Sequence, residues 1–232
     1  MKNLTTVFLL LLIAFFQPKA HSVTFMLTPS YAVPPAELPL SRANHLIDPV
    51  EGRAIVNKYH QGGQGAFYTS ATLNKIISQK NASGIRGYYA YHNDRMTILI
   101  VGATRQTETR HNDILPGIVA LQTGTTVVSP EQNQQVDTGT ADTAAFNYRH
   151  SAHYNDKIKG GLFGKDAIVA LLDQPGCVGV RFYIGLNSSG KKTMVLFGVD
   201  AKGVDLVAYV ADQNVPCPNY CSDSNSLNTD KR

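Results

Sequence analysis

Apolar residues recur along this chain with two periods, and the periods alternate. Over residues 70–80, Leu73, Ile76 and Ile77 fall at i, i+3 and i+4, the buried stripe of a helix. Ile168, Leu171 and Leu172 repeat that stripe in a helix expected over 165–174. After each stripe the period shortens to two. Ile85, Tyr89 and Tyr91 alternate with Arg86, Tyr88 and Ala90, and Val180, Phe182, Ile184 and Leu186 alternate with Arg181, Tyr183 and Gly185. Strands are therefore expected over 85–91 and 96–103, joined by the polar loop 92–95, and over 180–187, 193–199 and 204–210. Asn187-Ser188-Ser189-Gly190 and Asp200-Ala201-Lys202-Gly203 are turn signals between the later strands. Another helix opens at Asp48-Pro49-Val50-Glu51. Asp48 suits the cap, Pro49 the first helical position and Glu51 a capping box. That helix is expected to reach about residue 59 and stop at Gly62-Gly63, and a fourth is expected over 141–158.

The alternation is also a duplication. At a spacing of 95 residues, Gly65, Gln79, Gly84, Arg86 and Tyr88 fall on Gly160, Gln174, Gly179, Arg181 and Tyr183. One inserted residue in the hairpin then aligns Thr97 and Gly102 with Thr193 and Gly198. The expected fold class is α+β: two degenerate helix-helix-strand-strand repeats forming antiparallel sheet or sheets packed by helices. An isolated hairpin is marginal in water, so the units are expected to share a core; two separate small domains are the alternative. The chain divides into a signal peptide (1–22), an extended Pro-containing arm (23–47), a first unit (48–104), a linker or loop region (105–139), a second unit (140–212) and a Cys-containing polar tail (213–232). GIVALQ and TTVV, within 105–139, read as short strands.

Composition changes the picture in two places. Lys2, the ten-residue apolar run VFLLLLIAFF and Ala20-His21-Ser22 together read as a secretory signal cut after Ser22. The run is shorter than the ~20 residues a membrane span needs, and no later segment is a transmembrane candidate. The protein is expected to be exported, to the periplasm or to the cell surface and medium. Loss of Lys2 and Lys19 leaves 19 basic residues against 17 acidic ones. The basic residues are scattered, so the footprint of a nucleic-acid binder is absent.

Three groups of residues are candidates for chemistry. Arg86 with Tyr88, and Arg181 with Tyr183, share a strand face in each unit. They are the expected binding residues if that face looks outward, since Arg and Tyr are enriched at recognition hot spots. Alternatively each Arg pairs with a carboxylate and packs on its neighbouring ring. Export permits disulfides among Cys177, Cys217 and Cys221, and three cysteines leave one over. A bridge within the tail and a bridge from Cys177 to either tail cysteine are both open. Cys177 is a weak candidate nucleophile that lacks a base nearby in sequence. His150 and His153 stand at i, i+3, but the accompanying ligand set is incomplete, so no metal or other cofactor is expected.

One resemblance covers about residues 160–224. Gln174-Pro175-Gly176-Cys177, Gly179-Val180-Arg181-Phe182-Tyr183, the strand end Gly198-Val199-Asp200 and Pro216-Cys217-Pro218-Asn219-Tyr220-Cys221-Ser222 together resemble a family of exported Bacteroidota proteins. That family shares a QPGC turn, a G-x-R-x-Y strand and a PCPxYCS tail. The resemblance implies export and a common setting for the cysteines; it carries no catalytic role. The first unit departs from it, with Lys80-Asn81-Ala82 where the second has Pro175-Gly176-Cys177. The leading expectation is a non-catalytic binding or interaction module with a protein or small-molecule partner. The alternative is a thiol-dependent enzyme or redox protein using Cys177.

Overall fold

The computed structural model describes residues 46–59, 64–107, 110–212, 215–218 and 220–230. The signal segment, most of the arm and the Gly62-Gly63 stop lie outside the described residues. The arm's last two residues, Leu46–Ile47, form β1. Helix α1, Pro49–Asn57, starts as its sequence requires: the Asp48 side chain accepts from the backbone N–H groups of Val50 and Glu51.

The order strand, short helix, long strand, long strand then occurs twice. It is first β2 (Gly65–Thr69), α2 (Ser70–Ile77), β3 (Ala82–His92) and β4 (Arg95–Arg105). The short strands β5 (His111–Asp113), β6 (Val119–Gln122) and β7 (Gln135–Val136) follow, then helix α3 (Thr138–Arg149). The order returns as β8 (Gly160–Gly164), α4 (Lys165–Leu172), β9 (Cys177–Leu186) and β10 (Lys192–Asp200), with β11 (Asp205–Asp212) and β12 (Val215–Cys217) closing the chain.

This is the expected α+β class, with antiparallel pairing between all named strands. Several details differ from expectation. The two short strands β2 and β8 sit between helices where no strand was expected. The TTVV stretch is irregular, and the helix expected over 141–158 spans Thr138–Arg149, with turns beyond it.

Two sheets form. One has the order β1-β11-β10-β9-β2; the other runs β12-β8-β3-β4-β6-β7, with β5 alongside β4. The short strands cross over. β2 pairs with β9, and β8 pairs with β3. Glycines permit these crossings. A Cβ on Gly160 would stand 2.1 Å from the Gly87 carbonyl oxygen, and one on Gly65, at φ +144°, would stand 1.9 Å from that of Phe182.

One face of each sheet enters a shared core. Ile85, Tyr89, Ile98 and Ile100 meet Val180, Phe182, Ile184, Met194 and Leu196 there, with Leu73 and Ile76 of α2 and Ile168 and Leu171 of α4. The opposite faces are covered separately. α1 packs Ile55 and Val56 on Val195, Phe197 and Val210, and α3 packs Ala141, Ala144 and Ala145 on Leu99, Val101 and Val119. The polar tail joins the second of these clusters: Leu227 is fully buried in it.

Candidate functional site

Strand alternation puts Arg86 and Tyr88 on the α3-covered face and Arg181 and Tyr183 on the α1-covered face. Each pair meets an aspartate from the next part of the chain. Arg86 Nε donates to Asp113 Oδ1 at 2.9 Å, and the Tyr88 hydroxyl donates to Asp113 Oδ2 at 2.7 Å. Arg181 Nη1 donates to Asp205 Oδ1, and the Tyr183 hydroxyl donates to Asp205 Oδ2 at 2.9 Å. Burial and the neighbouring Asp113 charge push the Tyr88 hydroxyl well above its ordinary value, and Arg86 opposes them. Burial and then Asp205 push Tyr183 in the same direction. Both hydroxyls thus keep their protons as donors. Of the two readings of the Arg/Tyr face, the structure has the carboxylate-paired one, and the Arg181 guanidinium lies 5.7 Å from the Tyr183 ring.

The two clusters are covered differently. At Arg86 the tail closes over everything. Arg86 Nη1 donates to the Tyr220 carbonyl at 2.7 Å, Ser222 Oγ accepts from the Asp113 N–H, and Asn225 Nδ2 donates to Asp113 Oδ2. Arg86 is 0% exposed and Tyr88 1%. The outward binding face expected at Arg86 and Tyr88 is therefore corrected: their donors are engaged and the tail shields them from water. At Arg181, itself 8% exposed, the corresponding carbonyl is that of Thr125, 2.7 Å from Nε, and the Gly203 carbonyl accepts from Nη2. Tyr183 is half-buried there. Asp205 takes a second ion pair at 2.6 Å from Arg53 of α1, whose side chain is 42% exposed and lies over the Phe197 ring. A surface depression of about 540 Å³ opens at this cluster, lined by Thr125, Thr126, Val127, Arg181, Tyr183 and the Ala201–Gly203 turn.

The QPGC turn is a stitch in the fold. Gln174 Nε2 donates to the Leu171 carbonyl at the end of α4, and its Oε1 accepts from the Tyr209 N–H on β11. Gln79 makes the same two bonds, to Ile76 and from Ile118. Gly176 and Asn81 occupy the left-handed turn position in the two places, at φ 78° and 63°. Cys217 is bonded to Cys221, and Cys177 is free and half-buried, so of the bridges the sequence left open the structure has the one within the tail. The Cys177 thiol faces the Gly179 carbonyl at 3.1 Å, an acceptor, whereas an activated thiolate needs donors or a cation. His150 stacks on Phe146 and His153 on Tyr91, so the two rings go to different places. Among the described residues no three His, Cys, Asp or Glu side chains converge as a metal site.

Sequence reasoning missed Asp113, Asp205, Arg53 and the covering carbonyls. Asp113 follows Arg86 by 27 positions and Asp205 follows Arg181 by 24, so the unequal spacing hid their equivalence. The signal available was the pair of strand arginines itself, since a shielded guanidinium requires a carboxylate.

The fold and site define an α+β protein of two antiparallel sheets carrying two Arg–Tyr–Asp clusters, one closed over by the tail and one beside a surface depression. Compared with protein families, with characterised proteins and with solved structures, the chain matches none. Among the described residues no helix is long and apolar enough to cross a membrane.

Proposed function

We propose that this chain is an exported, non-catalytic binding module made of two copies of one unit, and that the copy around Arg181 and Tyr183 is the one that binds. Shared register supports the duplication. Gly65 faces Tyr183 and Thr69 faces Gly179, while Gly160 faces Tyr88 and Gly164 faces Gly84. Each member of the first pairing lies 95 positions from its counterpart in the second. Export is supported by the disulfide and the apolar leader, and membership of the exported Bacteroidota family belongs to the same proposal. The observation that carries the binding reading is the unequal covering of the two clusters. A buried polar cluster is stable when sealed and satisfied, as Arg86 is; the same cluster left beside a depression is a surface prepared for a partner.

A photo-crosslinking residue at Thr126 or Lys202, with Lys75 as a control in a different depression, tests this in the native host. A partner adduct from positions 126 and 202 and none from 75 is expected. Equal adducts at all three, or none, overturn the reading.

A further inference from the structure

The two units differ at a place where the fold itself asks for no difference. Tyr91 faces Met96 across the first hairpin, and Leu186 faces Lys192 across the second. Leu186 lies 95 positions after Tyr91, and Lys192 lies 96 after Met96 once the inserted residue is counted. Met96 is 2% exposed and Lys192 5%, so one unit shields a thioether where the other shields an ammonium. Tyr89 departs from its counterpart Ile184 in the same sense. The Tyr89 hydroxyl is buried and has no hydrogen-bond partner among the described residues. A shielded ion pair or lone hydroxyl fills such a position less favourably than an apolar side chain, so stability does not account for either group.

Both groups belong to one depression. Lys192 Nζ donates to Asn155 Oδ1 at 2.9 Å and pairs with Asp156 Oδ1 at 2.9 Å. Burial, and then the neighbouring Tyr148, Asp156 and Tyr59 groups, push the Tyr89 hydroxyl well above its ordinary value, so it stands in the same set. Lys58, Tyr59, His153, Asn155, Asp156 and Lys192 line a depression of about 300 Å³ between the end of α1, the connection after α3 and the β9–β10 hairpin. That volume is at the lower end of small-molecule sites.

The lining sets the chemistry of an occupant. Asp156 is already taken: Oδ1 accepts from the Ile158 N–H and pairs with Lys192, and Oδ2 accepts from the Lys192 N–H. An ammonium carries three donors, so Lys192 has one beyond its two partners, and Lys58 is exposed. Over residues 55–59, 150–159 and 186–192 the chain carries five lysines and one acid, Asp156. Asp230, which comes near Tyr154, is paired with Arg149 at 2.8 Å. The carbonyl end of α1 adds about half a negative charge, less than the lysine excess. Tyr59 and the His153 ring, stacked on Tyr91 at 5.6 Å, give flat walls. The groups left to meet a ligand are cations and hydroxyl donors, which fit acceptor oxygens bearing negative charge.

Independently of the Arg181 depression, we propose that the depression at Lys58, Tyr59 and Lys192 is a second binding site, for a small molecule carrying a carboxylate or phosphate group. Its anionic oxygens meet the two ammonium groups, and its body lies against the Tyr59 and His153 rings.

The test titrates the ¹⁵N-labelled full mature chain with inorganic phosphate, with glucuronate and with neutral methyl glucoside at constant ionic strength, and follows amide shifts. Saturable shifts centred on 58–59, 153–156 and 190–192 are expected from at least one anion, and the two titrations say which oxyanion the site takes. Methyl glucoside should give none. Lys58→Gln, an exposed change, should weaken binding about threefold. The double variant Lys192→Met with Asp156→Asn copies the apolar solution of Met96. It should melt within a few degrees of wild type and lose binding at least about tenfold. Absence of saturation by either anion up to about 50 mM overturns the proposal, because the ion pairs invoked would then contribute almost nothing. So do equal shifts from the neutral sugar, or anion binding that Lys58→Gln leaves unchanged. A double variant that binds as wild type does, or that fails to fold, overturns it as well, the latter by showing that the pair serves stability after all.

Discussion

Replacing Asp113 with Asn strands a charge. Arg86 has no exposed side-chain surface, and neither does Asp113. The other Arg86 bonds go to the carbonyls of Tyr220 and His111, which satisfy N–H groups without neutralising the guanidinium. The Asp113→Asn change would keep the shape of the side chain and one acceptor oxygen. It would remove the charge and place an amide NH2 among Arg86, Tyr88 and Asn225, which all donate to the present carboxylate. Breaking a buried pair in this way costs ~3–5 kcal/mol. For a folded body of this size that lowers Tm by roughly 6–20 °C. The matched variant Asp205→Asn has the same chemistry, but there the Arg181 side chain keeps 10% exposure and the second cation, Arg53, keeps 42%, so water reaches part of the charge left behind. Its cost should be about 1–2 kcal/mol. Urea unfolding followed by tyrosine fluorescence reads both, since the chain has no Trp and eleven Tyr. Removing both charges, as Arg86→Met with Asp113→Leu, should regain part of the loss because nothing charged is then left unpaired. A cost below ~1 kcal/mol for Asp113→Asn, or equal costs for the two aspartates, would refute the reasoning about shielding.

Three further outcomes are expected. Burial raises the hydroxyls of Tyr68, Tyr88, Tyr89 and Tyr148 in the fold, so the folded state holds protons the unfolded chain gives up. Their contribution is fully present below about pH 10, the unfolded value, and is lost as pH rises above it. Tyrosinate absorbance should therefore rise in two stages, the second coinciding with loss of circular dichroism; all tyrosines ionising near pH 10 in an intact fold would contradict this. Gly160→Ala should yield no folded protein, because the new Cβ meets backbone at 2.1 Å, whereas Gly190→Ala, with nothing within 4 Å of its Cβ, should fold with a loss of about 1 kcal/mol for its positive φ. Reducing Cys217–Cys221, separated by four positions, should cost ~2 kcal/mol by the loop-closure relation. Amide exchange at Ser222–Asn228 should accelerate with it; unchanged protection there would show that the tail holds without the clip.

The helices and long strands were legible because their apolar period was clear and their ends carried Asp48, Pro49 and the 200–203 turn. β2 and β8 were not legible, for a physical reason. β2 is buried at every position and β8 at all but its last, so neither shows the alternation of a strand with one wet face. Their glycines, needed where backbones cross closely, read locally as breaks. The Arg/Tyr pairs were legible as matching positions 95 residues apart, but sequence could not say what lay over them. Leu227 stands alone among Ser, Asn and Asp, and a lone apolar residue in a polar run gives no period, so the tail's part in sealing Arg86 was hidden. The carbonyl of Thr125 was equally silent, since any residue supplies one.

The exchange of β2 and β8 has a consequence for how the molecule comes into being. The segment Gly65–Thr69 is made early but gains its strand neighbour only when Gly179–Tyr183 has been made and released. Until then Phe67 and Tyr68, fully shielded in the finished protein, have the Gly124 bridge and the Ile98 and Ala120 carbonyls to hold them but no antiparallel strand beside them. The first half therefore cannot be completed during synthesis, and folding must be a late, collective event dominated by distant pairings, which are slow to close. Under the export proposed above that delay has a use: the chain would stay threadable until its last strands arrive, and then both halves would lock at once.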